Sequence, residues 1–425
     1  MPSKASESMR LRTLATLAQA RKIRGLLENL HWGQEVETAF FARRARSLPK
    51  PEYRIDRGAT KASLAELLAL RPHLRGDGAL PRLLRNVTGS VIATHRMLLA
   101  VETPAFYELS CRQYGGARSM SLDADSTNLD LAHHIERRLS NLRFPPPAEA
   151  PKLTAQAFID RLKARLAADH PKLKVRFEID AGISAKVMAG TTRVRVRADA
   201  TFGELETEGL WLHEVETHAL TGQNGRAQKR LPFLSSGGPR STRTQEGLAV
   251  FSELYGRTLG VERLRRLVTR VELVAMVEGG ANFLEVYRRG VAEGQTQREA
   301  YLDAMRIFRG ASLTGGAPFT KDACYLSGLA ETYNFLRICM TRGAMELAEV
   351  LVSGRLALDD LADLVELRRE GWVERPLHLP LWLENWDGLV AYFAFTSFLN
   401  EIDLPPLEKR FARVNRLVSR AQSLR

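Results

Sequence analysis

The run His213-Glu214-Val215-Glu216-Thr217-His218 places two imidazoles and an intervening carboxylate within six residues. With nine histidines in 425 positions, such a string arises by chance on the order of 0.01 times per chain, so the pattern asks for a chemical explanation. Two imidazoles on one helix can bind one zinc ion, and the glutamate beside the first can serve as general base toward a water activated there. Zinc peptidases of the common type space the two histidines four apart, on one helical face. Here the spacing is five. In a regular helix five residues rotate roughly 500°, leaving the rings about 140° apart. Joint binding of one ion therefore requires the helix to widen locally by an i→i+5 turn, a distortion that concentrates at functional sites. The β-branched Val215 and Thr217 lower helix propensity and suit such a distortion.

A catalytic zinc takes three protein ligands and keeps one position open, so a third ligand has to come from elsewhere in the chain. Glu246 is the candidate, in Thr244-Gln245-Glu246-Gly247-Leu248-Ala249 at the expected start of a helix over 244–256. Gly237-Gly238-Pro239, between the two helices, permits an antiparallel return. Without the histidine pair, a glutamate in a first helical turn would read as charge complementing the helix dipole. The chemistry of such a set is peptide hydrolysis: one zinc ion activates water and polarises the carbonyl, while Glu214 takes the water proton and delivers it to the leaving amine. A carboxypeptidase also needs a cation for the free terminal carboxylate, and Arg243, Arg306, Arg309 and Lys321 are the candidates by position. Tyr325 is a candidate donor to the oxyanion. Each cation alone reads first as surface charge, and Tyr325 first as a packed aromatic.

Three strings also resemble a known family. HEVETH at 213–218, TQEGLA at 244–249 and Gly316-Ala317-Pro318-Phe319-Thr320-Lys321-Asp322-Ala323-Cys324-Tyr325-Leu326 are similar to those of the QEGLA-motif proteins. That family includes the microtubule-associated tyrosine carboxypeptidases and bacterial members named as flavohaemoglobin expression modulators, and the resemblance spans most of the chain. It implies one zinc ion held by His213, His218 and Glu246, with Glu214 in the catalytic position. It further implies a carboxypeptidase that releases a C-terminal residue, tyrosine in tubulin-like tails. The bacterial members' name points instead to a regulatory protein that modulates gene expression by contact with a partner. A scaffold without catalytic need could lose Glu214 and keep its metal, so the intact set favours the enzyme.

The elements that must position these residues are mostly helical. Apolar residues recur with a period near 3.6 over 10–46, 60–70, 81–113, 127–142, 153–168, 202–221, 244–256, 260–289, 296–308, 322–341 and 344–352, then in a C-terminal portion broken by Pro376, Pro380 and Pro405-Pro406. Alternation marks strands at 174–179 and at 185–197 across a Gly190 turn. The expected class is mainly α (α+β): a helical N-terminal region over 1–148, ending at Pro145-Pro146-Pro147, then a zincin-like catalytic core over 149–345 with a small β-sheet and the HExxxH helix, then a helical region over 346–425 packed on the core. The strands immediately precede the histidine helix, and their edge can take up substrate backbone as an added strand.

The net charge of +13 suits an acidic peptide or protein tail as substrate. It is spread at helical spacing through 10–46, 261–270 and 409–425 among Glu and Leu, without a helix-turn-helix, zinc-finger or RNP pattern, so no nucleic acid is expected. Cys111, Cys324 and Cys339 form no CxxC pair, no apolar run reaches membrane-span length, and the N-terminus shows no signal-type apolar region. A cytoplasmic protein is the expectation. The adjacent His133 and His134 diverge on a helix, and His378 sits between prolines; both read as structural. Gly315-Gly316 and Lys321 lack the Gly-Lys pair of a phosphate loop.

Overall fold

The helical periodicity becomes helix nearly everywhere it occurs, giving a mainly α fold with a small β component. In the computed structural model residues 4–120, 125–140, 152–183 and 185–401 are described; the Pro145-Pro146-Pro147 run, the expected boundary at 148, Pro405-Pro406 and the 409–425 stretch lie outside them. The pattern over 10–46 is realised as three helices, Lys4–Ala20, Leu26–Asn29 and Gln34–Ala42, with Gly25 and Gly33 as N-caps of the second and third. That over 260–289 divides into Val261–Glu278 and Phe283–Ala292. Gly279 and Gly280 stop the first, Gly280 at φ 105°, and the Asn282 side chain caps the second.

The N-terminal helices do not keep a core of their own. Leu17, Leu67 and Leu83 share one buried cluster with Phe251, Leu336, Trp382 and Phe393, so residues from all three expected regions contribute to one interior.

The strands lie where alternation predicts them, with an addition. Strand β1 is Leu153–Thr154, β2 Arg176–Asp180, β3 Val187–Ala189, β4 Arg193–Arg197 and β5 Thr201–Phe202. The extra pair, β1 with β5, is two residues long and too short for alternation to register. The main sheet has the order β2-β4-β3, with β2 parallel and β3 antiparallel to β4. Val187, Val194 and Val196 face inward, into a cluster with Phe158, Trp211 and Val215. Gly190 donates to the carbonyl of Arg193, and Arg197 to that of Lys186. In an antiparallel ladder this register turns the backbone groups of Val187 and Ala189 away from β4, toward the free edge. The histidine helix lies beside that edge.

Candidate metal centre

Residues 204–227 form one continuous helical run. Its middle, Trp211–Ala219, is π-helical, between the α-helices Glu204–Leu210 and Leu220–Ala227. The widening demanded by the five-residue histidine spacing is therefore present. Trp211 and Val215 pin one face to the sheet. On the other, the Thr217 hydroxyl donates to the carbonyl of Leu212, five residues back, at 2.9 Å and meets Ser252 Oγ at 3.2 Å. The His213 and His218 rings consequently sit 4.9 Å apart, planes crossed at 82°. Glu216, between them in sequence, points away: its carboxylate meets His170 Nε2 at 2.6 Å and accepts from the Leu381 amide at 2.9 Å.

The glutamate helix is Pro239–Tyr255. It starts earlier than the sequence pattern indicated because Gly238 is its N-cap and Pro239, with its fixed φ, its first residue. Glu246 thus stands in the third turn, where the dipole explanation of its charge no longer applies. Its Oε2 lies 3.4 Å from His213 Nε2 and 3.6 Å from His218 Nε2, and one ligand atom from each of the three residues falls within 4.8 Å of the others. Tetrahedral zinc, with bonds of about 2.0–2.2 Å, separates its ligand atoms by about 3.3–3.5 Å. Oε2 is also buried without a hydrogen-bond partner, an arrangement that costs more than about 1–3 kcal/mol for a charged group. A cation between the two imidazoles would relieve it, so the residues present fit zinc.

Every neighbour in the QEGLA string has a task. Gln245 Oε1 meets the Thr221 hydroxyl of the histidine helix at 2.8 Å, and Leu248 and Ala249 are buried. Gly247 crosses Gly328 of helix Cys324–Thr341 so closely that a Cβ on it would lie 2.1 Å from the Gly328 carbonyl oxygen. This approach delivers Lys321 and Tyr325. Lys321 Nζ is 3.1 Å from Glu246 Oε1 and 3.2 Å from the Tyr325 hydroxyl. One glutamate oxygen is thereby held by the ammonium while the other faces the imidazoles.

His213 donates through Nδ1 to Glu253 Oε1 at 2.7 Å, which fixes Nε2 toward Glu246. Arg263 holds Glu253 in turn, with Nε 3.1 Å from Oε2. Burial disfavours charge on His213, but the Glu246 carboxylate facing it and the Glu253 carboxylate bonded to it prevail and push its pKa up to about 10. Burial likewise opposes the Glu253 carboxylate, yet His213 and Arg263 bring it down to about 2. For Glu246, Lys321 and the two imidazoles overcome burial and hold the carboxyl well below its ordinary range. Burial, reinforced by Glu246, raises Tyr325, which stays a protonated donor. Glu214 turns toward the sheet edge, where its Oε2 accepts from the Ala189 amide at 2.8 Å; Oε1 has no protein partner among the described residues.

Of the residues singled out in the sequence, His213, Glu214, His218, Glu246, Lys321 and Tyr325 come together. Arg306 is forked onto buried Asp322, and Arg243 Nη1 pairs with Glu331 at 2.9 Å. Arg309 is stacked on Phe319 with its guanidinium 5.6 Å from the ring centroid, and burial lowers its pKa to about 10. Sequence reasoning missed three groups: Glu253, the Ala189 amide and Arg355, whose Nη2 donates to the His218 carbonyl at 3.0 Å. Glu253 had a signal, since seven residues after Glu246 is the same helical face. Arg355 had none.

A mainly α protein with a small sheet edge beside two site helices is the class that these observations define. The model of the microtubule-associated tyrosine carboxypeptidase family matches residues 38–401. The chain belongs to this family, and its function is accordingly of carboxypeptidase type. No curated protein matches the sequence significantly. Among solved structures, the chain is similar to a "putative lipoprotein" from Colwellia psychrerythraea, at 13% identity and a TM-score of 0.42, over 79% of this chain and 72% of that one. Among the described residues, no helix is long and apolar enough to cross a membrane.

Proposed function

We propose that the protein is a zinc carboxypeptidase in which His213, His218 and Glu246 hold one zinc ion and Glu214 is the general base. The observation that carries this is the partnerless Glu246 Oε2 facing two imidazole nitrogens at 3.4 and 3.6 Å. A zinc ion there supplies Lewis acidity, lowering the pKa of water toward about 7 and polarising the scissile carbonyl. Glu214, anchored through Oε2, uses Oε1 to take a proton from the attacking water and passes it to the departing amine. Tyr325, protonated and held by Lys321, donates to the carbonyl oxygen as negative charge develops. Glu253 keeps His213 in the tautomer that presents Nε2.

The substrate of this reading is a peptide or protein C-terminal tail, with tyrosine or another aromatic residue released, in keeping with the family's description. The surplus of 62 Lys and Arg over 49 Asp and Glu favours acidic tails. Substrate backbone pairs with the free edge of β3 through Val187, because the Ala189 amide is already engaged by Glu214. Three unpaired cysteines suit a reducing, cytoplasmic setting.

Elemental mass spectrometry on the purified protein, beside His213→Ala, is expected to give about one zinc in the first and none in the second. Release of tyrosine from a tyrosine-ended peptide should disappear in Glu214→Gln while zinc remains. A wild type that takes up no zinc, or a Glu214→Gln variant as active as wild type, would sink this assignment.

A further inference from the structure

Arg355 is 137 residues from His218 in sequence, yet the histidine helix itself brings it to the centre. Asn224 Nδ2 donates to the Val352 carbonyl at 2.8 Å and Gln228 Nε2 to that of Ser353 at 3.4 Å, so two side chains four residues apart on that helix hold the loop. Gly354 lets the loop close on Leu234, where a Cβ would meet the Leu234 Cβ and carbonyl oxygen at 2.9 Å, and the Arg355 amide donates to that carbonyl at 2.7 Å. The side chain then runs between two more glycines. A Cβ on Gly222 would stand 3.2 Å from Arg355 Nη2, and one on Gly237 3.6 Å from Cδ. The backbone on both sides is thus shaped to let the guanidinium through.

At its end the guanidinium makes one hydrogen bond among the described residues, from Nη2 to the His218 carbonyl. Nε is buried without a partner, and among the described residues Arg355 has no ion pair. The other cations around the centre are engaged: Lys321 with Glu246, Arg263 with Glu253, Arg306 with Asp322 and Arg243 with Glu331. Among the described residues Arg309 has no ion pair, but it lies over Phe319, and the groups acting on it are Arg306, Asp322, Tyr325 and Tyr114 rather than Glu214 or Glu246. The carboxylates that Arg355 senses are Glu214 and Glu246, while burial lowers its pKa. A partly buried, charged fork with open donors that senses the catalytic carboxylate is suited to a planar anion held in two-pronged fashion.

We propose that Arg355 binds the free C-terminal carboxylate of the substrate and so restricts the centre to removal of a terminal residue. This rests on the carboxypeptidase reading above. Arg355 is a specificity residue here, and no proton passes through it.

The test separates carboxylate binding from turnover. Zinc-loaded Glu214→Gln protein is titrated calorimetrically with a short acidic peptide ending in tyrosine, as free acid and as amide. The acid is expected to bind on the order of 10- to 100-fold more tightly than the amide. Adding Arg355→Gln, which keeps a polar side chain along the same path but no charge, should bring the ratio near one with zinc content unchanged. Arg355→Lys should restore part of it. A purely structural arginine would weaken both peptides equally and leave the ratio intact; that result, or equal binding of acid and amide before Arg355 is touched, overturns the proposal. If Arg355→Gln loses metal, the Lys variant decides: an undiminished ratio overturns the proposal and a reduced one supports it. Failure of the wild type to hydrolyse peptides would count against the zinc carboxypeptidase assignment, whereas the binding ratio is read on protein that never turns over.

Discussion

Two helices supply the candidate centre, and they meet one geometric demand in different ways. On Pro239–Tyr255 the two useful carboxylates, Glu246 and Glu253, are seven residues apart. Seven residues of ordinary α-helix drift by only about 20°, so a regular helix presents both toward His213. On the neighbouring run the histidines are five apart, and nine residues, Trp211–Ala219, adopt the π form to align them. The regular solution needs no special support. The irregular one is held by a tryptophan and a valine against the sheet and by the Thr217 hydroxyl. Spacing that conflicts with the helical period is therefore the more informative kind in a sequence, since it announces a distortion that something must stabilise.

The contrast breaks most sharply by removing the two glutamates of the regular helix in turn. Glu246→Ala is expected to abolish zinc retention and, with it, turnover. Glu253→Gln leaves all three proposed ligands but replaces the charged acceptor of His213 Nδ1 by a neutral one and strands Arg263, so zinc affinity should fall about 10- to 100-fold. Competition with a chromophoric chelator measures both. Equal losses would mean that Glu253 does more than orient the imidazole; no loss in Glu253→Gln would remove it from the centre.

The same contrast explains what the sequence disclosed. The His-Glu-His string revealed its own π turn because five is the wrong number for an α-helix, and β2 and β4 showed themselves through apolar residues alternating with charged ones. Glu253 stayed hidden because seven is a right number and a buried helix carries many such coincidences. The start of the glutamate helix was misplaced because Gly238-Pro239 looked like loop punctuation, while the fold uses it as an N-terminus. Arg355 and the Ala189 amide were beyond reach for a different reason. Their positions are set by tertiary contacts, through Asn224, Gln228 and the β3–β4 register, which no local pattern encodes.

Outside both helices, Asp322 is buried among Arg306 and Arg270. Burial opposes its charge, but Arg306 and then Arg270 outweigh it and hold the carboxyl far below its ordinary value of 3.8. A carboxylate depressed in the fold stabilises fully above its unfolded pKa and loses that contribution as pH falls toward the folded one. Thermal unfolding of the metal-free protein should thus be insensitive to Asp322 between about pH 5 and 7 and lose its contribution progressively below about pH 4. Asp322→Asn should cost about 3–5 kcal/mol at neutral pH, since it leaves buried arginines unpaired. This separates the buried ion cluster from the two helices of the centre: a variant that stays folded should keep its zinc affinity.

Smaller effects distinguish the helices themselves. Gly247→Ala forces a methyl against the Gly328 carbonyl, 2.1 Å away without adjustment, and is expected to cost about 1–3 kcal/mol while loosening the grip of Lys321 on Glu246. Thr217→Val is the milder probe of the π segment. It conserves shape and β-branching but deletes the hydroxyl that bonds the Leu212 carbonyl five residues back, for about 1 kcal/mol of stability. If the hydroxyl holds the π turn, the variant should also bind zinc several-fold more weakly, because part of the ion's binding energy then goes into realigning His213 and His218. Ser252→Ala removes the partner on the glutamate helix, and with it the acceptor of Trp382 Nε1, but leaves the bond to the Leu212 carbonyl in place, and provides the control. Equal zinc affinity in both variants would assign the π turn to the packing of Trp211 and Val215 alone; a loss confined to Thr217→Val would assign it to the hydroxyl.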